Sequence, residues 1–165
     1  MLAASRMGAA VVAAAIVLAA GACKKPPKAP EPVPALEPVQ AHVTIAAGAE
    51  SNPDSSGRPS PIVVRVYQLK GDAAFTGADF FGLFDDEQKA LGAELISRTE
   101  VVLAPSEQRT VDLAVSGDTR FLAAVAAFRD IRNAEWRAVV PTWREGPRDV
   151  NVAVERTRIV VSVVE

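Results

Sequence analysis

The residue types that most often carry catalysis and metal binding are scarce in this chain of 165 residues, which has one histidine and one cysteine. A catalytic triad needs a histidine bonded to both a nucleophile and an orienting acid, and the sequence around His42 nominates neither partner. A structural zinc site needs about four cysteine or histidine ligands. The sequence also lacks a phosphate-binding loop, a dinucleotide fingerprint and a GxSxG motif. We therefore expect a protein that is not an enzyme and holds no metal, with His42 facing solvent or lying at a strand edge.

Acidic side chains form two patterns that could bind a cation. Residues 85–87 read Asp-Asp-Glu, but neighbouring residues on a helix diverge around its axis, so a solvated helix face is the simpler interpretation. Acidic and polar side chains also alternate over residues 50–56, as they do at the start of an EF-hand loop. That loop requires glycine at its sixth position and glutamate at its twelfth, and Ser55 and Pro61 stand there instead. We reject the EF-hand interpretation.

Cys23 follows a segment typical of a secretory signal. Arg6 precedes an alanine-rich apolar run over residues 7–22 that ends in small side chains, the pattern that is removed on export. The run is shorter and less hydrophobic than the roughly 20 apolar residues of a membrane-spanning helix. Cleavage before Cys23 would free its thiol and amine for acylation, which resembles the processing of bacterial lipoproteins. We predict a lipoprotein signal peptide over residues 1–22 and a covalent lipid on Cys23; the alternative is a plain secreted protein with an incidental cysteine.

The segment after Cys23 is predicted to be a tether, residues 23–39. Six prolines lie within residues 24–39, a density that favours extended polyproline II. At about 3.1 Å per residue, this segment could hold the following domain up to about 50 Å from a membrane anchor. The formal net charge of −2 and the absence of a basic run argue against nucleic acid as a partner.

Residues 40–165 are predicted to form one all-β domain. Apolar side chains alternate with polar ones in most segments, with turn residues about every ten positions, which is typical of a β-sandwich. Seven or eight strands are expected, with candidates over residues 40–47, 62–69, 95–103, 108–115, 121–128, 136–140 and about 150–154 and 159–163. The strand at 121–128 is apolar on both faces, as for a central strand covered on both sides.

One amphipathic helix is predicted inside this pattern, over about residues 78–91. Phe80, Leu83, Phe84 and Leu91 recur near helical spacing, and Thr76 with Asp79 has the spacing of a capping box. We expect the phenylalanines to pack on a sheet. Gly92 is predicted to end the helix.

A long polar loop is predicted between the first two strands, over residues 48–61. It contains no apolar side chain larger than alanine, and connections of this length in a compact domain are uncommon and tend to be functional or disordered. Its three prolines reduce the entropy that it would lose on binding a partner. Both interpretations, a binding loop and a merely mobile one, remain open from the sequence.

Several short motifs occur together in one order and carry a family resemblance. The motifs are Asn-Pro at 52–53, Gly-Arg-Pro-Ser-Pro-Ile-Val-Val-Arg-Val-Tyr-Gln-Leu-Lys at 57–70, Ala-Asp-Phe at 78–80, Leu-Gly at 91–92, Val-Leu-Ala-Pro at 102–105, Ala-Ala-Phe-Arg-Asp at 126–130 and Ala-Glu-Trp-Arg at 134–137. With the signal and the proline-rich segment, they resemble the TssJ family of type VI secretion lipoproteins, also called SciN or VasD.

This resemblance implies a transthyretin-like two-sheet sandwich of seven to eight strands with an added helix. It also implies a structural lipoprotein on the periplasmic face of the outer membrane, in a complex of TssJ, TssL and TssM. In that family the loop between the first two strands engages the C-terminal periplasmic domain of TssM. Carried over to this chain, the partner-binding residues are Glu50, Ser51, Asn52, Pro53, Asp54, Ser55, Ser56, Gly57 and Arg58.

Two other functions are compatible with the sequence. A periplasmic ligand- or glycan-binding sandwich would show a concave aromatic patch, built from Tyr67, Trp136 and Trp143. A pilotin-like lipoprotein would escort a different outer-membrane assembly.

Overall fold

Residues 37–142 and 148–164 are described in a computed structural model of the chain. They contain eight strands: β1 Val39–Ala47, β2 Ile62–Leu69, β3 Leu95–Leu103, β4 Gln108–Val115, β5 Phe121–Ala126, β6 Arg137–Pro141, β7 Arg148–Val154 and β8 Ile159–Val164. Three short helices lie between β2 and β3: α1 Ala73–Gly77, α2 Phe80–Asp85 and α3 Glu87–Leu91, followed by a 3₁₀ turn, Gly92–Glu94. The predicted signal peptide, Cys23, most of the tether and Trp143 lie outside the described residues.

The strands form two four-stranded sheets, in the orders β4-β1-β7-β8 and β3-β2-β5-β6. Neighbouring strands are antiparallel, except that β1 and β7 run parallel with Val43 opposite Val150. The two-sheet sandwich predicted from the alternating pattern is confirmed, and the strand boundaries agree with the predicted ones within two residues.

The core lies between the two sheets and follows the alternation of each strand. On β1 the side chains of Ala41, Val43 and Ile45 are fully buried, while His42 between them is exposed. On β2, which belongs to the other sheet, the same alternation places Ile62 and Val64 in this core. Each such valine or isoleucine contributes about 1.5–3 kcal/mol by leaving water, so the alternating pattern fixes which face of each strand turns inward.

The helices cover the outer face of the β3-β2-β5-β6 sheet. Phe75, Leu83 and Leu91, one from each helix, pack on Tyr67 of β2 and Val125 of β5 in a second apolar cluster. Strand β5 is therefore covered on both sides, as its doubly apolar sequence predicts. We name α1, α2, α3 and the 3₁₀ turn together the helix layer.

The prediction of a single helix over residues 78–91 is wrong, because two aspartates interrupt it. Asp79 is extended, and its side chain accepts a hydrogen bond from the backbone N–H of Gly82 at 2.7 Å. Asp86 is also non-helical and accepts from the N–H of Lys89. Short aspartate side chains compete in this way with the backbone bonds of a continuing helix.

The predicted capping box is wrong for the same reason, because Asp79 is itself the cap of α2 and Thr76 lies inside α1. The stop at Gly92 is correct, and this residue has a positive φ of 51° that favours glycine. None of the helices in the described part of the chain is long and apolar enough to cross a bilayer.

Candidate functional site

Three of the connections at one end of the sandwich lie side by side, and we name this end the loop end. They are the β1–β2 loop (residues 48–61), the β5–β6 connection (127–136) and the β7–β8 turn (155–158). Together they line a groove of about 490 Å³ whose lining residues are Asn52, Pro53, Asp54, Ser55, Phe128, Arg129, Asp130 and Thr157. Of these connections, only the β1–β2 loop was predicted from the sequence to be a binding site.

Asn52 ties the three connections together. The residue is only 2% exposed, and its Nδ2 donates to the carbonyl of Pro61 at 2.7 Å. Its Oδ1 accepts from the backbone N–H of Arg129 at 2.8 Å, and its own N–H donates to the carbonyl of Arg156 at 3.0 Å. Asn52 has a φ of 51°, a backbone region that asparagine tolerates better than most residues. The residue therefore fixes the base of the β1–β2 loop to both neighbouring connections.

Asp54 organises the tip of the same loop. One carboxylate oxygen accepts from the N–H groups of Ser56 and Arg58 at 2.8 and 3.0 Å. The other accepts from two nitrogens of the Arg58 guanidinium, at 2.9 and 2.8 Å. The backbone of Asp54 and Arg58 is joined as well, and Gly57 supplies the positive φ of 79° that closes the turn.

Hydrogen bonds to the charged form lower the pKa of Asp54. The backbone N–H of Arg58 is the largest cause, and the Arg58 side chain is the next. The carboxylate is therefore charged throughout the neutral range, so the tip keeps this arrangement there.

The nine residues predicted to bind a partner divide into two groups. Ser51 and Asn52 are buried, so they position the loop and do not lie on its surface. Glu50 is exposed and pairs with Arg156 at 3.1 Å, and Pro53 and Asp54 are half-buried. Residues 55–58 are exposed at the tip.

The groove residues outside the β1–β2 loop were not predicted as site residues. Phe128, Arg129 and Asp130 belong to the family motif at residues 126–130, but nothing in the sequence places that motif beside residue 52. Thr157 lies in a turn whose sequence carries no signal of a site. Only the folded topology brings these residues together.

Among the described residues, the groove lining contains no histidine and no cysteine. The only histidine, His42, lies on β1, on the outer face of the β4-β1-β7-β8 sheet. Its Nδ1 is 2.6 Å from Oδ1 of Asp112, and its side chain is 57% exposed. Its predicted exposure is therefore correct. Across residues 37–142 and 148–164, no cluster of histidine, cysteine and acidic side chains could hold a metal ion.

The acidic run at 85–87 is only partly the solvated face that was predicted. Asp85 is exposed and Asp86 caps α3, but Glu87 is half-buried and lies 3.4 Å from Arg98. Asp86 and Glu87 therefore help to hold the helix layer in place.

Of the aromatic residues in the ligand-binding alternative, the two that the structure describes, Tyr67 and Trp136, pack against the helix layer and do not line the groove. Tyr67 is fully buried beneath the helix layer, where its hydroxyl donates to the carbonyl of Leu83 at 3.2 Å. Burial raises the pKa of Tyr67 to about 12. Trp136 packs edge-on against Phe80, with ring centroids 5.4 Å apart.

Comparisons with known proteins agree on one family. The model of a family described as "T6SS-SciN: Type VI secretion lipoprotein, VasD, EvfM, TssJ, VC_A0113" matches residues 39–157. Comparison with curated protein sequences gave no match.

Several solved structures are also similar. The T6SS lipoprotein TssJ1 from Pseudomonas aeruginosa is 31% identical with a TM-score of 0.73, over 78% of this chain and 98% of that chain. A chain of a structure described as "Type VI membrane complex" is 27% identical with a TM-score of 0.65, over 76% and 99%. A chain of a structure described as "T6SS protein TssM C-terminal domain (869-1107) from EAEC" is 26% identical with a TM-score of 0.61, over 76% and 98%.

Proposed function

The chain belongs to the type VI secretion lipoprotein family of TssJ, SciN and VasD, and from this premise we propose that it anchors the periplasmic domain of TssM to the outer membrane. It is a structural lipoprotein of the type VI secretion membrane complex and not an enzyme. We further propose that the β1–β2 loop docks on the C-terminal domain of TssM and that Cys23 carries the lipid anchor.

The observation that carries the docking proposal is the preorganised β1–β2 loop. Its base is fixed by Asn52 and its tip by Asp54 and Arg58, while residues 55–58 stay exposed. A loop that is already held in one conformation loses less entropy when it binds. The arrangement is therefore suited to present a surface of defined shape to another protein.

The similar structures support TssM as the partner. Two of the matched chains come from structures whose descriptions name a type VI membrane complex and the TssM C-terminal domain. Membership of the same family makes the corresponding partner of this chain the first to test.

The anchor in this proposal is Cys23, and the tether is the proline-rich segment up to residue 39. One acyl chain holds a protein only marginally, so stable attachment takes two or more membrane signals. Force on TssM would then pass through the docked loop, the sandwich and the lipid in series. If Cys23→Ala left assembly of the secretion complex unaffected, this anchoring role would be wrong.

Calorimetric binding to the cognate TssM C-terminal domain tests the docking proposal. The domain of this chain over residues 34–165, its larger compact unit, suits the measurement because the relatives' chains match it over nearly their full length. We expect micromolar or tighter binding, which is lost when residues 50–58 are replaced by a Gly/Ser linker of equal length. Binding that survives this replacement, with circular dichroism unchanged, would move the docking site elsewhere on the domain.

A further inference from the structure

Most charged side chains at the loop end have a hydrogen-bond or ion-pair partner within the described residues. On the groove wall, Asp54 is bonded to Arg58, and both carboxylate oxygens of Asp130 accept from Nδ2 of Asn133 at 3.0 and 2.8 Å. Outside the groove, two further ion pairs form, Glu50 with Arg156 at 3.1 Å and Glu155 with Arg158 at 2.8 Å.

Arg129 is the exception among the groove residues. Its side chain is exposed, and within residues 37–142 and 148–164 its guanidinium has no ion-pair or hydrogen-bond partner. The groove therefore presents one guanidinium without a partner in the described part of the chain, while the oxygens of its two carboxylates, Asp54 and Asp130, already accept hydrogen bonds.

The backbone of Arg129 is nevertheless held in place. Its N–H donates to the buried side chain of Asn52 at 2.8 Å, and the preceding residue, Phe128, is 5% exposed and belongs to the core. The guanidinium therefore extends from a fixed point, and that point is bonded to the base of the β1–β2 loop. Because the backbone of Arg129 is already fixed, less entropy is lost when its side chain forms an ion pair.

We propose that the docking site is composite: the β1–β2 loop supplies its shape, and the Arg129 guanidinium on the β5–β6 connection pairs with a carboxylate of the docked protein. This inference rests on the proposed function and takes the TssM C-terminal domain as the occupant. A guanidinium offers a planar set of donors that matches a carboxylate with two parallel hydrogen bonds. Arginine is also among the residues that most often dominate the free energy of protein interfaces.

Two substitutions at this position test the pairing, by calorimetry with the cognate TssM domain at low and at moderate salt. Arg129→Ala is expected to weaken binding at least about thirtyfold, because removing one member of a hydrogen-bonded charge pair at an interface leaves the other uncompensated. Arg129→Lys keeps the charge but not the paired donors, and should recover part of the loss. Raising the salt concentration should weaken binding of the native domain more than that of Arg129→Ala.

Arg132→Ala is the matched control, because Arg132 is exposed on the same connection but does not line the groove. It should bind within about twofold of the native domain, as expected for a charge outside the contact. The unfolding midpoint of Arg129→Ala should not change, because the backbone N–H that Asn52 holds is retained. If the midpoint of Arg129→Ala fell, partial recovery of binding in Arg129→Lys and the salt dependence of binding would separate a pairing role from a structural one. A structural role alone would not change the salt dependence.

The outcomes separate this inference from the function on which it rests. If the native domain binds, the Gly/Ser loop abolishes binding and Arg129→Ala binds within about twofold, the proposed function stands and the role of Arg129 is overturned. Equal losses in Arg129→Ala and Arg132→Ala would also overturn it, since they would indicate general charge attraction. If the native domain does not bind, both proposals fail together.

Discussion

The helix layer and the β1–β2 loop are both long connections in one sandwich, yet different forces hold them. The helix layer buries Phe75, Leu83 and Leu91 on the outer face of a sheet. The loop buries only polar residues, Ser51, Asn52 and Ser60, and is fixed by hydrogen bonds to the two connections beside it.

This difference separates a structural connection from one suited to binding. Apolar burial stabilises without specifying direction, and the helix layer uses it to cover a sheet face. Hydrogen bonds fix the direction of the backbone groups that they join, so the loop can hold a defined shape while its tip remains in solvent.

The helix layer also has directed bonds, but they point inward. Nitrogens of Arg65 donate to the carbonyl of Phe84 at 2.6 Å and to Glu100 at 2.7 Å. Arg137 donates to the carbonyls of Phe75 and Ala78 at 3.1 and 2.7 Å. Arginines that satisfy the last carbonyls of short helices stabilise their ends, so here they hold the layer on the sheet.

The largest expected effect of a single substitution is in the helix layer. Leu83→Ala should lower the free energy of unfolding by about 3 kcal/mol, because a fully buried leucine is replaced and a cavity remains. Urea unfolding measures the loss, and calorimetry should show unchanged TssM binding. A loss of binding with the fold intact would contradict the division between the two regions.

The second prediction concerns the single tyrosine, which reports directly on the cover of the helix layer. Tyr67 should ionise with a midpoint near pH 12, because burial disfavours the phenolate. Its folded-state pKa is raised, so the stability it contributes is present below about pH 10 and is lost as the pH rises towards 12. Absorbance of tyrosinate measures the midpoint, and the urea-unfolded chain should titrate near pH 10. A folded-state midpoint near 10 would show that the layer does not cover Tyr67.

The third prediction tests the base of the loop. Asn52→Ala should cost about 2 kcal/mol, because it leaves the N–H of Arg129 and the carbonyl of Pro61 without their partner. Binding to TssM should weaken about tenfold through lost preorganisation. Asn52→Gly is the control, since it removes the same bonds but accepts the positive φ; equal losses in the two variants would assign the effect to the hydrogen bonds.

The smallest expected effect is at the tip. Asp54→Asn should leave the unfolding midpoint nearly unchanged, because an ion pair whose guanidinium is 81% exposed contributes little to stability. Binding should weaken about threefold, because the tip is less well ordered before it docks. The pKa of Asp54 is lowered, so any stability that it contributes is present at neutral pH and is lost only as the pH falls below the ordinary aspartate range. Binding of the native domain should therefore be the same at pH 7 and pH 5, and calorimetry at the two values checks this.

The sequence predicted the sandwich well because each strand carries its own alternation. The strand over Ile62–Leu69 was predicted with the boundaries that the structure has, since burial of alternate side chains is a local signal. The family resemblance was correct because it depended on the order and spacing of several motifs. The helix layer was predicted less well, because Asp79 and Asp86 are short polar residues that fit a helix surface and a helix break alike.

The loop end could not be derived from local pattern. Asn52 acts through Arg129, which lies 77 positions away in the sequence, and through the β7–β8 turn. Contacts at this separation depend on strand order, in which β7 inserts beside β1 in parallel. Length and composition singled out the loop, but only the fold separates its buried positioning residues, Ser51 and Asn52, from its exposed tip.

Hydrogen–deuterium exchange of the domain with and without the TssM C-terminal domain tests the central claim most directly, because it measures both regions in one experiment. Docking at the loop end predicts slower exchange on binding at the amides of residues 54–58 and 129–130, with no change across the helix layer. Slower exchange confined to the helix layer, with the loop end unchanged, would contradict the assignment of the docking surface.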